Sequence, residues 1–126
     1  MFQIKNQQIF ISRFVFLISI LSSFAFGIAG ITKIIGVEMM HDSFVKMNLP
    51  YWFGYFIGVS ELAGSIGIQL KKLRKLASLG LSIIMLGAIF YHINYELEGL
   101  IAAIILFTFC LILLFSKVSE KRKVEL

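Results

Sequence analysis

The sequence predicts an all-α membrane protein: a four-transmembrane-helix bundle with N- and C-termini cytoplasmic, in a single membrane domain spanning 1–126. Three observations predict it. Hydrophobic residues make up 59% of the chain and the mean hydropathy is +0.91, well above an ordinary soluble domain. Four apolar runs, at about 14–35, 51–70, 76–95 and 100–116, each approach the ~20 residues that cross a bilayer core. The basic residues fall between those runs in alternate loops. In lipid each run must satisfy its own backbone groups, so each is expected to be a helix.

The first run follows Lys5 and Arg13 and ends in small residues, Ala25, Gly27, Ala29 and Gly30. A secretory signal has the same order of features, but this apolar stretch exceeds the usual ~7–15 residues and three more follow it. It reads as a retained helix. Between the first two runs lies a loop that ends at Pro50, the only proline. Proline suits a first helical turn, where its missing N–H would have no partner. Tyr51, Trp52, Phe53, Tyr55 and Phe56 follow, an aromatic cluster suited to anchoring at the headgroup boundary.

Orientation comes from the basic residues. Lys5, Arg13, the KKLRK turn after the second run, and Lys117, Lys121, Arg122 and Lys123 hold ten of the 12 Lys and Arg, leaving only Lys33 and Lys46 opposite. Glu38, Asp42, Glu96 and Glu98 lie on that other side. The basic side is expected to be cytoplasmic, in the inner membrane of a bacterium. The net charge of +5 thus reflects membrane orientation and not a nucleic-acid face. The KKLRK turn can also attract anionic lipid.

The second run carries the chemistry. At ~100° per residue, Gly54, Gly58, Glu61 and Ser65 fall in one stripe about 60° wide. Small residues so placed let helices approach closely in lipid, so the stripe must face protein. The third run repeats the pattern with Gly80, Ile84, Gly87 and Tyr91, and the first with Ser23, Gly27 and Gly30. These three faces are expected to form the core, with the uniformly apolar fourth run toward lipid.

Glu61 is ten residues past Tyr51, ~15 Å into the bilayer. A carboxyl there is protonated, hydrated or paired, and intramembrane ionisable groups point to function. As a structural group it would hydrogen-bond a hydroxyl such as Ser23. Lys33 and His92 belong near the outer ends of the first and third helices. Lys33 can reach outward to the interface as an anchor, and a direct pair with Glu61 needs it turned inward on a first helix that continues past Ile35. The safer expectation is an outward-opening crevice with Glu61 at its floor, Lys33 and His92 on its sides, and Trp52 and Tyr91 as walls.

Other chemistry has little support. His41 with Asp42, and His92 with Glu96, are too sparse for a metal site, and no HExxH pattern occurs. Nucleophile elbows, phosphate loops and haem-ligating histidine pairs are missing. Cys110 is the only cysteine, so thiol–disulfide chemistry within the chain is excluded. In its apolar run it reads as a packing residue.

Taken together, FGIAGITKI in the first run, NLPYWFGYFIGVSELAGSIGI across the second, and LGAIFYH closing the third resemble the DoxX-like membrane proteins over residues 24 to 95. The fourth run matches in hydropathy only. The resemblance implies a four-helix membrane bundle whose polar residues are Lys33, Glu61 and His92. Two departures bear on the pocket: Ala63–Gly64 stands where relatives often have a double glycine, and bulky Tyr91 precedes the histidine. The family takes its name from a small membrane subunit associated with thiosulfate:quinone oxidoreductase. That implies a subunit or accessory protein of a membrane redox system, with a quinone as the expected ligand and a redox subunit or a second copy as partner. The alternative is a non-enzymatic assembly, chaperone or transport-related membrane protein.

Overall fold

The computed structural model describes residues 2–116, with side chains described from Lys5 onward. Among these residues the chain forms five helices and no strand: α1 (Phe2–Ile35), α2 (Glu38–Lys46), α3 (Tyr51–Gln69), α4 (Arg74–Asn94) and α5 (Leu100–Phe115). The basic residues expected at 117–123, and the C-terminus, lie outside the described residues.

Two elements differ from expectation. α1 begins at Phe2 and runs 34 residues, ~51 Å at 1.5 Å per residue, against a bilayer core of ~30 Å. Nothing between Lys5 and Phe14 is a glycine or proline that would stop it. Gln69, at the end of α3, donates from Nε2 to the Ser19 carbonyl at 3.1 Å. The α1 residues before Ser19 therefore project toward and past the α3–α4 turn. The second difference is α2, which occupies what the sequence reads as loop. Gly36 turns the chain at φ 93°, a left-handed value that glycine adopts without strain. The chain leaves α2 through Asn48 at φ 58°, just ahead of Pro50.

α1 and α3 pack backbone to backbone. A Cβ added at Gly30 would stand 2.7 Å from the Gly58 carbonyl oxygen, and one at Gly58 would stand 2.7 Å from Lys33 Cβ. Ser23 Oγ donates to the Ser65 carbonyl at 2.9 Å, and Gln69 Nε2 donates to Ser23 Oγ at 2.7 Å. Ser23 is thus committed to the α3 backbone and does not serve Glu61. α3 and α4 approach closely over the half next to their shared turn, where a Cβ at Gly64 would meet Leu81 at 2.8 Å and one at Gly67 would meet Ala77 at 2.9 Å.

The small residues of α4 behave otherwise. Nothing lies within 4 Å of a Cβ placed at Gly80 or Gly87, so these two glycines, expected to pack, border open space, while Tyr91 on the same face is buried and Ile84 packs against the core. α5 corrects the expectation in the opposite sense. It is not simply turned to lipid: Ala103, Cys110 and Leu113 are buried, the last two joining Val15, Ile18, Phe26, Ile68, Leu81 and Met85 in the main apolar cluster.

Around that core the polarity is inverted. Among the described residues, ten hydrophobic side chains are buried while 34 large ones are exposed. An apolar surface of that extent is foreign to a water-soluble monomer. Two helices, over Lys5–Ile35 and Arg74–Asn94, are long and apolar enough to cross a membrane, and α5 is a shorter apolar helix.

Candidate functional site

The site starts from the last turn of α1. Lys33 lies beside Gly58, whose missing side chain leaves room for the lysine Cβ. Its Nζ stands 2.9 Å from Glu61 Oε1, and the two side chains are only 12% and 3% exposed. Lys33 therefore points into the protein and does not reach outward as an anchor. The pair forms although α1 stops at Ile35. Helical side chains lean toward their own N-terminus, and α1 and α3 are antiparallel. Lys33 leans back from the α2 end while Glu61, deeper on α3, leans up toward it. That mutual tilt closes the depth gap the sequence leaves between them.

A residue that sequence reasoning passed over completes this corner. His41 on α2 is 8% exposed and its Nε2 donates to the Lys33 carbonyl oxygen at 2.9 Å. The same carbonyl accepts from the Gly36 N–H at 3.1 Å, so the imidazole is a second donor to it at the end of α1. The imidazole lies over Tyr55 with ring centroids 4.5 Å apart. Gly54 is where it seats, since a Cβ there would collide with His41 Nδ1. Gly54 was legible as the start of the small-residue stripe, and the apolar positions Met40 and Phe44 flanking His41 at helical spacing are the signal that α2 docks there.

Beside the pair opens a cavity of about 960 Å³ bounded by α2, α3 and α4, within the ~300–1,000 Å³ of typical ligand pockets. Lys33 and Glu61 reach one wall, and apolar residues such as Phe44, Phe53, Ile57 and Ile84 form much of the rest. Tyr91 and His92 line it from α4. His92 makes no direct contact with the ion pair. Its Nδ1 donates to the Glu96 carbonyl at 2.9 Å, while Tyr91 Oη donates to Glu96 Oε2 at 3.3 Å. Lys46 reaches the same carboxylate at 3.9 Å in an exposed contact.

Trp52 does not wall the cavity. It is 62% exposed and packs edge-on against Phe53 and Phe56, because the α3 face that lines the pocket is that of Phe53 and Ile57, and Trp52 falls to one side of it. Among the described residues no group of three or more His, Cys, Asp or Glu could hold a metal ion. The site offers an ammonium donor and a carboxylate side by side in an apolar wall, an arrangement that can hydrogen-bond a polar head while its surroundings accept hydrocarbon.

The profile of the DoxX-like family matches residues 17–116. The chain belongs to the DoxX-like family. The match takes in α2 and α5 as well as the three helices whose motifs carried the resemblance, so this DoxX-like chain is related to the family along nearly its whole described length. Membership, with apolar helices and an apolar exterior, makes it a membrane protein. Comparison with curated proteins and with solved structures gave no match.

Proposed function

We propose that this DoxX-like protein is a small subunit or accessory protein of a membrane redox system that holds a quinone-type ligand in the α2–α3–α4 cavity. It would act as a four-span bundle, formed by α1, α3, α4 and α5, in the bacterial inner membrane with both termini cytoplasmic. One observation carries the reading: a Lys33–Glu61 ion pair at 2.9 Å, almost sealed from solvent, on the wall of a cavity otherwise largely apolar. A buried ion pair is a poor device for stability, because desolvating both charges offsets most of their attraction. Its presence in lipid argues for use. In this reading Glu61 gives or takes a proton at the ligand's oxygen, and Lys33 hydrogen-bonds that oxygen. His92, nearer the mouth, serves a second carbonyl.

The test is titration of the purified protein with a menaquinone or ubiquinone analogue. Saturable binding that weakens at least about tenfold, or ~1.4 kcal/mol, in Glu61→Gln supports the reading. No binding, or binding that ignores the substitution, removes it. Purification in mild detergent with identification of co-purifying proteins tests the redox partner and reports whether a second copy is present.

The Gly30–Gly58 contact beside the pair favours a second reading, in which Glu61 only orders the bundle of an assembly or transport-related protein. That reading gains if Glu61→Gln leaves function intact while Gly58→Leu prevents folding.

A further inference from the structure

We infer that the gap between α3 and α4 is a lateral portal, through which the cavity takes from the bilayer a ligand with one small polar head and one long apolar tail. This rests on the cavity being the ligand site proposed above, and adds the ligand's shape and its route.

The two helices are pinned at one end and parted at the other. Near their turn, Gly64 against Leu81 and Gly67 against Ala77 leave no room for even a Cβ. Further along, Gly87 has nothing within 4 Å of the Cβ position and lines the cavity; Gly80, level with Leu81 but turned to the cavity, is likewise open. The rim is formed by side chains that belong to the cavity lining and to the apolar exterior at once: Phe56 on α3 is 55% exposed, and Ile83 and Phe90 on α4 are 61% and 58% exposed. Lining residues that are more than half exposed stand where the cavity meets the exterior. Away from the rim the lining passes from apolar side chains such as Phe56 and Ile57, through Ser60, to the Lys33–Glu61 pair. At the α2 end the cavity is covered by Met40, Phe44 and Met47 of α2 and the turn after it, and methionine adapts to ligands of differing outline.

Polarity complementarity selects the occupant. The Lys33–Glu61 pair, with His92 and the exposed Lys46–Glu96 contact also on the lining, fits a molecule with one compact hydrogen-bonding head, and the portal lets a tail too long for the cavity remain among lipid chains. Lipid is as apolar as such a tail, so the tail should add little affinity. The portal decides access, and the sterics there are testable separately from recognition of the head.

The protein reconstituted in lipid nanodiscs is titrated with menadione, a tail-free naphthoquinone, and with menaquinone, the same ring bearing a long isoprenoid tail. Both should bind the unaltered protein. Gly87→Trp should keep menadione affinity within about twofold and lower menaquinone affinity about tenfold or more. Leu86→Trp, on the neighbouring outer surface, should change neither. Retained menadione binding by Gly87→Trp certifies its fold.

Menaquinone binding unchanged in Gly87→Trp overturns the portal while leaving the ligand reading in place. Loss of both ligands in Gly87→Trp and in the smaller Gly87→Leu, with helical content intact, also overturns it, since the added bulk would then occupy the head's own place. Absence of binding to the unaltered protein overturns the portal and the ligand reading together. If Gly87→Trp instead dissociates an oligomer and spares menaquinone, the face belongs to a second copy and the portal falls.

Discussion

Lys33 and Glu61 meet across an antiparallel helix pair, and what each does for the other differs from what the pair does for the fold. Removing one partner leaves a charge buried without compensation, a loss of roughly 3–5 kcal/mol, whereas exchanging both for apolar groups can be neutral or stabilising. Lys33→Met should therefore destabilise the protein by about that much, read as an earlier transition in a denaturing-detergent titration. Lys33→Met with Glu61→Leu should recover most of the stability and none of the ligand binding. If the double variant is as unstable as Lys33→Met alone, the pair is structural and the ligand role loses its support. His41 adds a neighbouring test. His41→Ala would remove both a donor to the Lys33 carbonyl and the ring under Tyr55. It should release α2 first, seen as faster amide exchange over 38–46, ahead of any change in α3.

Among the elements, glycine has two opposite duties, and substitution separates them. Gly58 fits against the α1 backbone and Lys33 Cβ, so Gly58→Leu should cost about 1–3 kcal/mol or more through overpacking. Gly80 faces open space, so Gly80→Ala should leave stability unchanged or raise it by a few tenths of a kcal/mol, through better helix propensity. Equal losses at both positions, in the same detergent titration, would contradict this division. Sequence could not separate them: all lie on small-residue faces at helical spacing, and spacing says which residues share a face without saying whether a neighbour comes close. α5 posed the same difficulty in reverse. A run as uniformly apolar as LIAAIILFTFCLILLF marks no face, so the burial of Cys110 and Leu113 had no visible sign. α2 was hidden by its nine residues, in which the spacing of Met40 and Phe44 is a single helical interval and a faint signal, and His41 was hidden with it.

For the molecule as a whole, the apolar runs and the acid inside one of them were legible because lipid demands length and penalises charge, two constraints written directly in composition. Glu61 stood out as the only acid within a run, and the helices found at 51–69, 74–94 and 100–115 fall almost where the hydropathy put them. The direction of Lys33 was not legible, since it depends on α1 and α3 being antiparallel and in a particular register. The proposed topology can be checked with single cysteines in a Cys110→Ala background. Glu98→Cys should react with a membrane-impermeant maleimide on intact cells, and Lys72→Cys only after permeabilisation. The reverse pattern would invert the orientation, and equal reactivity at both sites would remove the four-span arrangement.

The length of α1 has a mechanical side. Its bonded contacts with α3 reach to Ser19, and about 14 residues of continuous helix, or ~21 Å, separate that point from Lys5. A tilt of about 5° beyond that contact would swing the far tip by about 2 Å. A spin label at position 5, paired with one at position 72, would convert a small tilt of α1 against α3 into a distance that can be measured.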